Sequence, residues 1–206
     1  MTTALTAQAV PQADRARRPV TEDDLRAVAR QLGRPVRGAR AVAASCVCGE
    51  PLVVETAPRL PDGTPFPTLY YLTHPQANRA LGRLESEGLM AAMNERLAQD
   101  PDLAAAYAQA HRAYLAARGR VGQVEEIDGV SAGGMPDRVK CLHALAAHAL
   151  AAGPGVNPIG DQALVAVADQ WRPDRCACRT ASSAVAAPDL AAGKDGAGRR
   201  TGGGGG

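Results

Sequence analysis

Aromatic side chains are scarce in this chain: Phe, Trp and Tyr make up 3% of its 206 residues. Base-stacking platforms need such rings, so nucleic acid is not indicated as a partner. An excess of charge of one sign is missing too. The 23 Lys and Arg against 21 Asp and Glu leave +2 at neutral pH, which by itself decides nothing about a polyanionic partner. No apolar run approaches the ~18 residues that a membrane helix requires. The longest, CLHALAAHALAA, is interrupted by His143 and His148. The opening MTTALTAQAV has neither a basic n-region nor a continuous apolar h-region. The expectation is a cytoplasmic protein with no membrane partner.

What the chain does have is Ala, Val and Leu for a core, and length enough to bury one. Residues 1–20 mix Ala, Gln, Pro and Arg without periodicity and read as a flexible arm. Residues 173–206 drift into Ala and Gly and end in GGGGG, so they read as a disordered tail that cannot offset its ordering entropy. The stretch between, 21–172, is expected to be a single globular domain.

Local signals divide that domain into elements. TEDDLRAVARQLG reads as a helix, with Thr21 and Asp24 as a capping box, Leu25, Val28 and Leu32 as its stripe, and Gly33 as its stop. ARAVAASCVC alternates, which puts Val42, Ala44, Cys46 and Cys48 on one strand face. GE turns, and PLVVET returns as the second strand of a hairpin. The prolines of APRLPDGTPFP hold an irregular loop before a short strand, TLYYL. Thr73 and Gln76 suggest a capping box for the next helix, and LMAAMNERLAQ continues or follows it. Asp100 caps a long helix with Leu103, Tyr107, Ala110 and Tyr114 as its stripe. A helix is expected from Pro136 to about Ala152, with Val139, Leu142, Ala146 and Ala149 inward. Asn157 and Pro158 open the last helix. Strands cluster early and helices dominate. The class is therefore α+β, a small antiparallel sheet against about five or six helices.

Two patterns carry chemistry. The glycines of SAGG, ahead of the expected helix N-terminus and of Arg138 and Lys140, suggest an anion site of phosphate or carboxylate type. Gly133 and Gly134 would let the anion approach, and Arg59 and Asp62 of the Pro-rich loop are candidates to complete the pocket. The Walker spacing is absent, and a turn is the competing role for the glycine pair. The second pattern is the five cysteines, which in the absence of an export signal read as thiols or metal ligands. Cys46 and Cys48 share a C-x-C spacing with Cys176 and Cys178, and four thiolates complete a tetrahedral zinc site. Cys141, His143 and His148 are further metal candidates. Inside a regular helix Cys141 and His143 point apart, so they would need ligands from other segments. Cys141 is also the candidate nucleophile if a base stands beside it.

PRLPDGTPFPTLYYLTHP, RLESEGLM and AGGMPDRVKCLHALAAHALAAGPGVNPIGD together resemble the uncharacterised, mainly actinobacterial family known as domain of unknown function 501. The resemblance covers roughly 21–170. It implies a housekeeping cytoplasmic role, with genes often near a septum-formation initiator and an exopolyphosphatase, and it supplies no activity to carry over. Its recurring blocks fall on Cys46, Gly49, Pro51, Asp62 to Pro67, Lys140, Cys141, His143, Asn157, Pro158 and Gly160. It thereby favours a metal site of Cys46, Cys141 and histidines over the four-cysteine arrangement. Three functions are carried forward: an anion-binding domain, a zinc or iron module, and a protein-interaction module. Whether the protein is an enzyme is left open.

Overall fold

The computed structural model describes residues 16–178. The rest of the expected arm and tail lies outside the described residues. A four-stranded antiparallel sheet in the order β1-β2-β3-β4 is covered by six α-helices, so the α+β class holds.

β2 (Ala39–Ser45) and β3 (Pro51–Thr56) form the expected hairpin, with Val42 opposite Val54. All six residues of β3 are buried, because the strand is central and covered on both faces. Even Glu55 is inside, where the guanidinium of Arg17 donates two hydrogen bonds to it, at 3.0 and 2.8 Å. β4 (Tyr70–Leu72) pairs with β3, and β1 (Arg18–Pro19) with β2. β1 lies within the residues expected as an arm, and Cys176 and Cys178 of the expected tail stand near Cys46 and Cys48 beside the hairpin.

α1 (Glu22–Leu32) has the expected reciprocal cap between Thr21 and Asp24, and Gly33 ends it at φ 69°. Its buried side is Asp24, Ala27 and Val28, whereas Leu25 is 39% exposed. Asp24 turns inward because Arg18 of β1 pairs with it, which holds its carboxyl far below the usual carboxylate range. α2 (Pro75–Ser86) is capped by His74, not Thr73: His74 Nδ1 accepts the Ala77 N–H at 3.4 Å. Thr73 donates back to the Pro51 and Leu52 carbonyls. α3 (Leu89–Gln99) follows, and α4 (Pro101–Val121) buries all four residues of its expected stripe.

α5 (Leu142–Ala152) lies against the sheet, and α6 (Pro158–Ala166) packs on α5. The expected start of α5 at Pro136 is corrected to Leu142. Tertiary hydrogen bonds displace the helix from the intervening residues. Asn94 of α3 takes both backbone groups of Val139: Oδ1 accepts its N–H at 2.7 Å and Nδ2 donates to its carbonyl at 2.9 Å. The Gly133 carbonyl accepts the N–H groups of Lys140 and Cys141. With those groups committed elsewhere, 139–141 cannot enter a helical ladder.

Candidate metal centre

Cys46 directly follows β2, and Cys46–Gly49 is a tight turn closed by the Gly49 N–H on the Cys46 carbonyl at 2.8 Å. The turn aims both cysteines of the first C-x-C pair to the same side. The second pair arrives from the far end of the fold. Trp171 is buried and its ring lies 5.4 Å from that of His74, which anchors the segment beyond α6 beside the start of α2. From this anchor the chain brings Cys176 and Cys178 to the hairpin tip. The donor atoms of Cys46, Cys48, Cys176 and Cys178 all lie within 4.8 Å of one another, close enough to bind one metal ion.

The two pairs are built alike. The Cys48 N–H donates to the Cys46 sulfur, and the Cys178 N–H to the Cys176 sulfur. Backbone N–H donors of this kind favour the thiolate form. The Cys176 thiol is accordingly shifted down. Burial acts oppositely on Cys46 and Cys178 and pushes both thiols up, with the neighbouring sulfurs of Cys48 and Cys46 adding to the rise at Cys178. A soft divalent cation is what lets such crowded sulfurs ionise together. His74 completes the surroundings. Its Nδ1 is committed as the acceptor of the helix cap, so in the neutral ring the proton sits on Nε2, 3.6 Å from the Cys178 sulfur.

Cys141 and His143 lie elsewhere. Because Cys141 is the extended N-cap of α5 and not a helical residue, its sulfur comes within 4.0 Å of His143 Nδ1. Glu85 of α2 supplies the third group, with Oε1 at 3.1 Å from the same Nδ1. His143 is held positively charged well above the ordinary range, to about 9, by Cys141 first, then the Asn78 carbonyl and Glu85, against its burial. The expected grouping of Cys46 with Cys141 and histidines is therefore corrected: Cys46 joins three other cysteines, and Cys141 joins His143 and Glu85. His148 joins neither. It is buried between Tyr70, stacked at 5.8 Å, and the edge of Tyr114 at 5.2 Å. Its Nδ1 accepts from Asn157 Nδ2 at 3.1 Å, since Asn157 Oδ1 is already the cap of α6.

The anion-site residues stand apart. Gly133 and Gly134 have φ of 73° and 94°, and a Cβ at Gly134 would lie 2.5 Å from the Arg138 carbonyl, so the pair forms a closed turn. Arg138 and Lys140 are exposed. Arg59 pairs with Glu126, and Asp62 with Arg37. The N-terminus of α5 does attract an anion, and that anion is the Glu85 carboxylate, which accepts the Leu142 N–H at 2.6 Å. Two cavities, of about 540 and 300 Å³, are lined by none of these six candidate residues.

The cysteines of the second pair were identifiable from their spacing, whereas Glu85 carries no local signal; only the tertiary fold brings it to a sulfur.

The family described as Protein of unknown function (DUF501) matches residues 42–165. The chain belongs to this family. The DUF501 match includes Cys46, Cys48, Glu85, Cys141 and His143 and stops short of Cys176 and Cys178. No curated protein and no solved structure matches the chain. No helix among the described residues is long and apolar enough to cross a membrane.

Proposed function

We propose that this DUF501 chain is a zinc-binding module, in which Cys46, Cys48, Cys176 and Cys178 hold one ion that fastens the C-terminal segment to the β2–β3 hairpin. The single observation behind it is the convergence of four sulfur donors within 4.8 Å from two C-x-C pairs at opposite ends of the fold. Four thiolates on one ion leave no open corner and make a structural site. The same donor set also accepts iron, so the element has to be measured. Among the described residues the large exposed apolar side chains are Leu25, Val47 and Val130, in three separate segments. They form no stripe, which weighs against the interaction-module reading. The anion-pocket reading draws support only from the exposure of Arg138 and Lys140.

Elemental analysis of the purified full chain tests the proposal. The Cys176→Ser/Cys178→Ser double variant is expected to carry one zinc fewer per chain than the parent. Equal zinc in both proteins would refute the site, and iron at this position would replace the structural reading with a redox one.

A further inference from the structure

Glu85, Cys141 and His143 use three different donor types and come from two separate segments, the end of α2 and the entry to α5. Their donor atoms all lie within 4.8 Å of one another. We infer that they form a second metal site, of the three-ligand kind that leaves one coordination position open, and that it takes zinc.

The distances support a common ion. Tetrahedral zinc, with bonds of about 2.0 Å to nitrogen or oxygen and about 2.3 Å to sulfur, separates its nitrogen and oxygen ligands by about 3.3 Å and its nitrogen and sulfur ligands by about 3.5 Å. Here His143 Nδ1 is 3.1 Å from Glu85 Oε1 and 4.0 Å from Cys141 Sγ. Displacements of roughly half an ångström bring both to the expected edges.

The groups behind the ligands are in place as well. His143 Nε2 lies 3.0 Å from the Asn78 carbonyl, which accepts its proton, and Nδ1 is the ring atom that faces Cys141 and Glu85. A ligating histidine commonly donates its second N–H to a carbonyl in this way. The Leu142 N–H fixes the Glu85 carboxylate at 2.6 Å. Cys141 has extended backbone at φ −152°, held by its N–H on the Gly133 carbonyl.

The site opens on space. Cys141 and His143 line the cavity of about 300 Å³, together with Asn78, Thr68, Tyr70 and Tyr71. The all-cysteine cluster uses its four sulfurs and has no such corner. The fourth position at Glu85–Cys141–His143 is therefore exchangeable and accepts water or a small donor from the cavity.

Zinc-loaded full-length chain, freed of excess metal by gel filtration, tests this separately from the proposed structural site. The parent is expected to hold two zinc ions. Cys176→Ser/Cys178→Ser is expected to hold one, Cys141→Ala/His143→Gln one, and the combined variant none. A count that does not change on substituting Cys141 and His143 overturns the second site, whatever becomes of the first. Glu85→Gln keeps the shape and the acceptor for Leu142, and should weaken binding of this ion at least tenfold with circular dichroism unchanged. Unweakened binding removes Glu85 from the ligand set and overturns the three-ligand assignment. In the Cys176→Ser/Cys178→Ser background, the bands of bound cobalt(II) should shift on adding azide, which enters the open position. No shift overturns the open position.

Discussion

At the scale of single residues, the buried polar groups are committed to specific partners. His148 is the clearest instance. Burial lowers it to about 4, against about 6.5 in an unfolded chain. The groups facing it, Tyr70 and Tyr114, are phenols that burial pushes up, Tyr114 to about 12, so they stay neutral throughout the relevant range. Above pH 6.5 His148 is neutral in both states and its contribution to stability is fully present. Between 6.5 and 4 the unfolded chain binds a proton that the folded chain refuses, and stability falls by up to about 1.4 kcal/mol per pH unit. Denaturant titrations across that window should show the slope, and His148→Phe should flatten it by about one proton. An unchanged slope in the variant would assign the pH dependence to other groups. Arg118 shows the same economy with positive charge. It is buried and donates to the carbonyls of Pro67, Ile127 and Val130, tying the Pro-rich loop to the segment after α4. Its replacement by Met takes the partner from the Val130 carbonyl, leaves the Pro67 carbonyl with the Tyr114 hydroxyl and the Ile127 carbonyl with the Val130 N–H, and should cost about 1–3 kcal/mol in chemical denaturation.

At the scale of elements, the tightest constraint is the crossing of α5 and α6. A Cβ added at Gly160 would lie 2.2 Å from the Leu145 carbonyl oxygen, a backbone atom that cannot rotate away. Gly160→Ala should therefore destabilise by at least about 2 kcal/mol, seen as a melting shift of several degrees; a shift below one degree would mean that the helices separate without cost. The elements also explain what was readable beforehand. Caps at Thr21, Asp100 and Asn157, the α4 stripe and the hairpin follow from neighbours within a few positions, and all are present. The start of α5 was not readable, because Asn94, 45 positions away, decides the backbone of Val139. The site was half legible for the same reason. C-x-C spacing marks each cysteine pair, while nothing near Cys46 says that Cys178 will be beside it. The carboxylate that meets the α5 N-terminus likewise comes from Glu85, on another helix.

At the scale of the whole molecule, the proposed structural ion joins the hairpin to a segment whose fully buried anchors among the described residues are Trp171 and Pro173. Zinc binding the folded state alone would add about 2.7 kcal/mol at a free concentration a hundred times its dissociation constant. A strong chelator should lower the melting temperature and expose the Arg175–Cys176 bond to trypsin, since Arg175 is already at the surface. Cleavage there at the same rate with and without chelator would show that the ion does not secure the segment. The pairing of the two C-x-C motifs also has a consequence in time. The first pair leaves the ribosome as part of a hairpin, and its partner follows only after both α4 and α6 have been synthesised. During that interval the nascent chain offers two thiols where four are needed, so metal capture reports that translation has passed residue 178. A chain stopped earlier keeps only a half-site, with a weak hold on any ion.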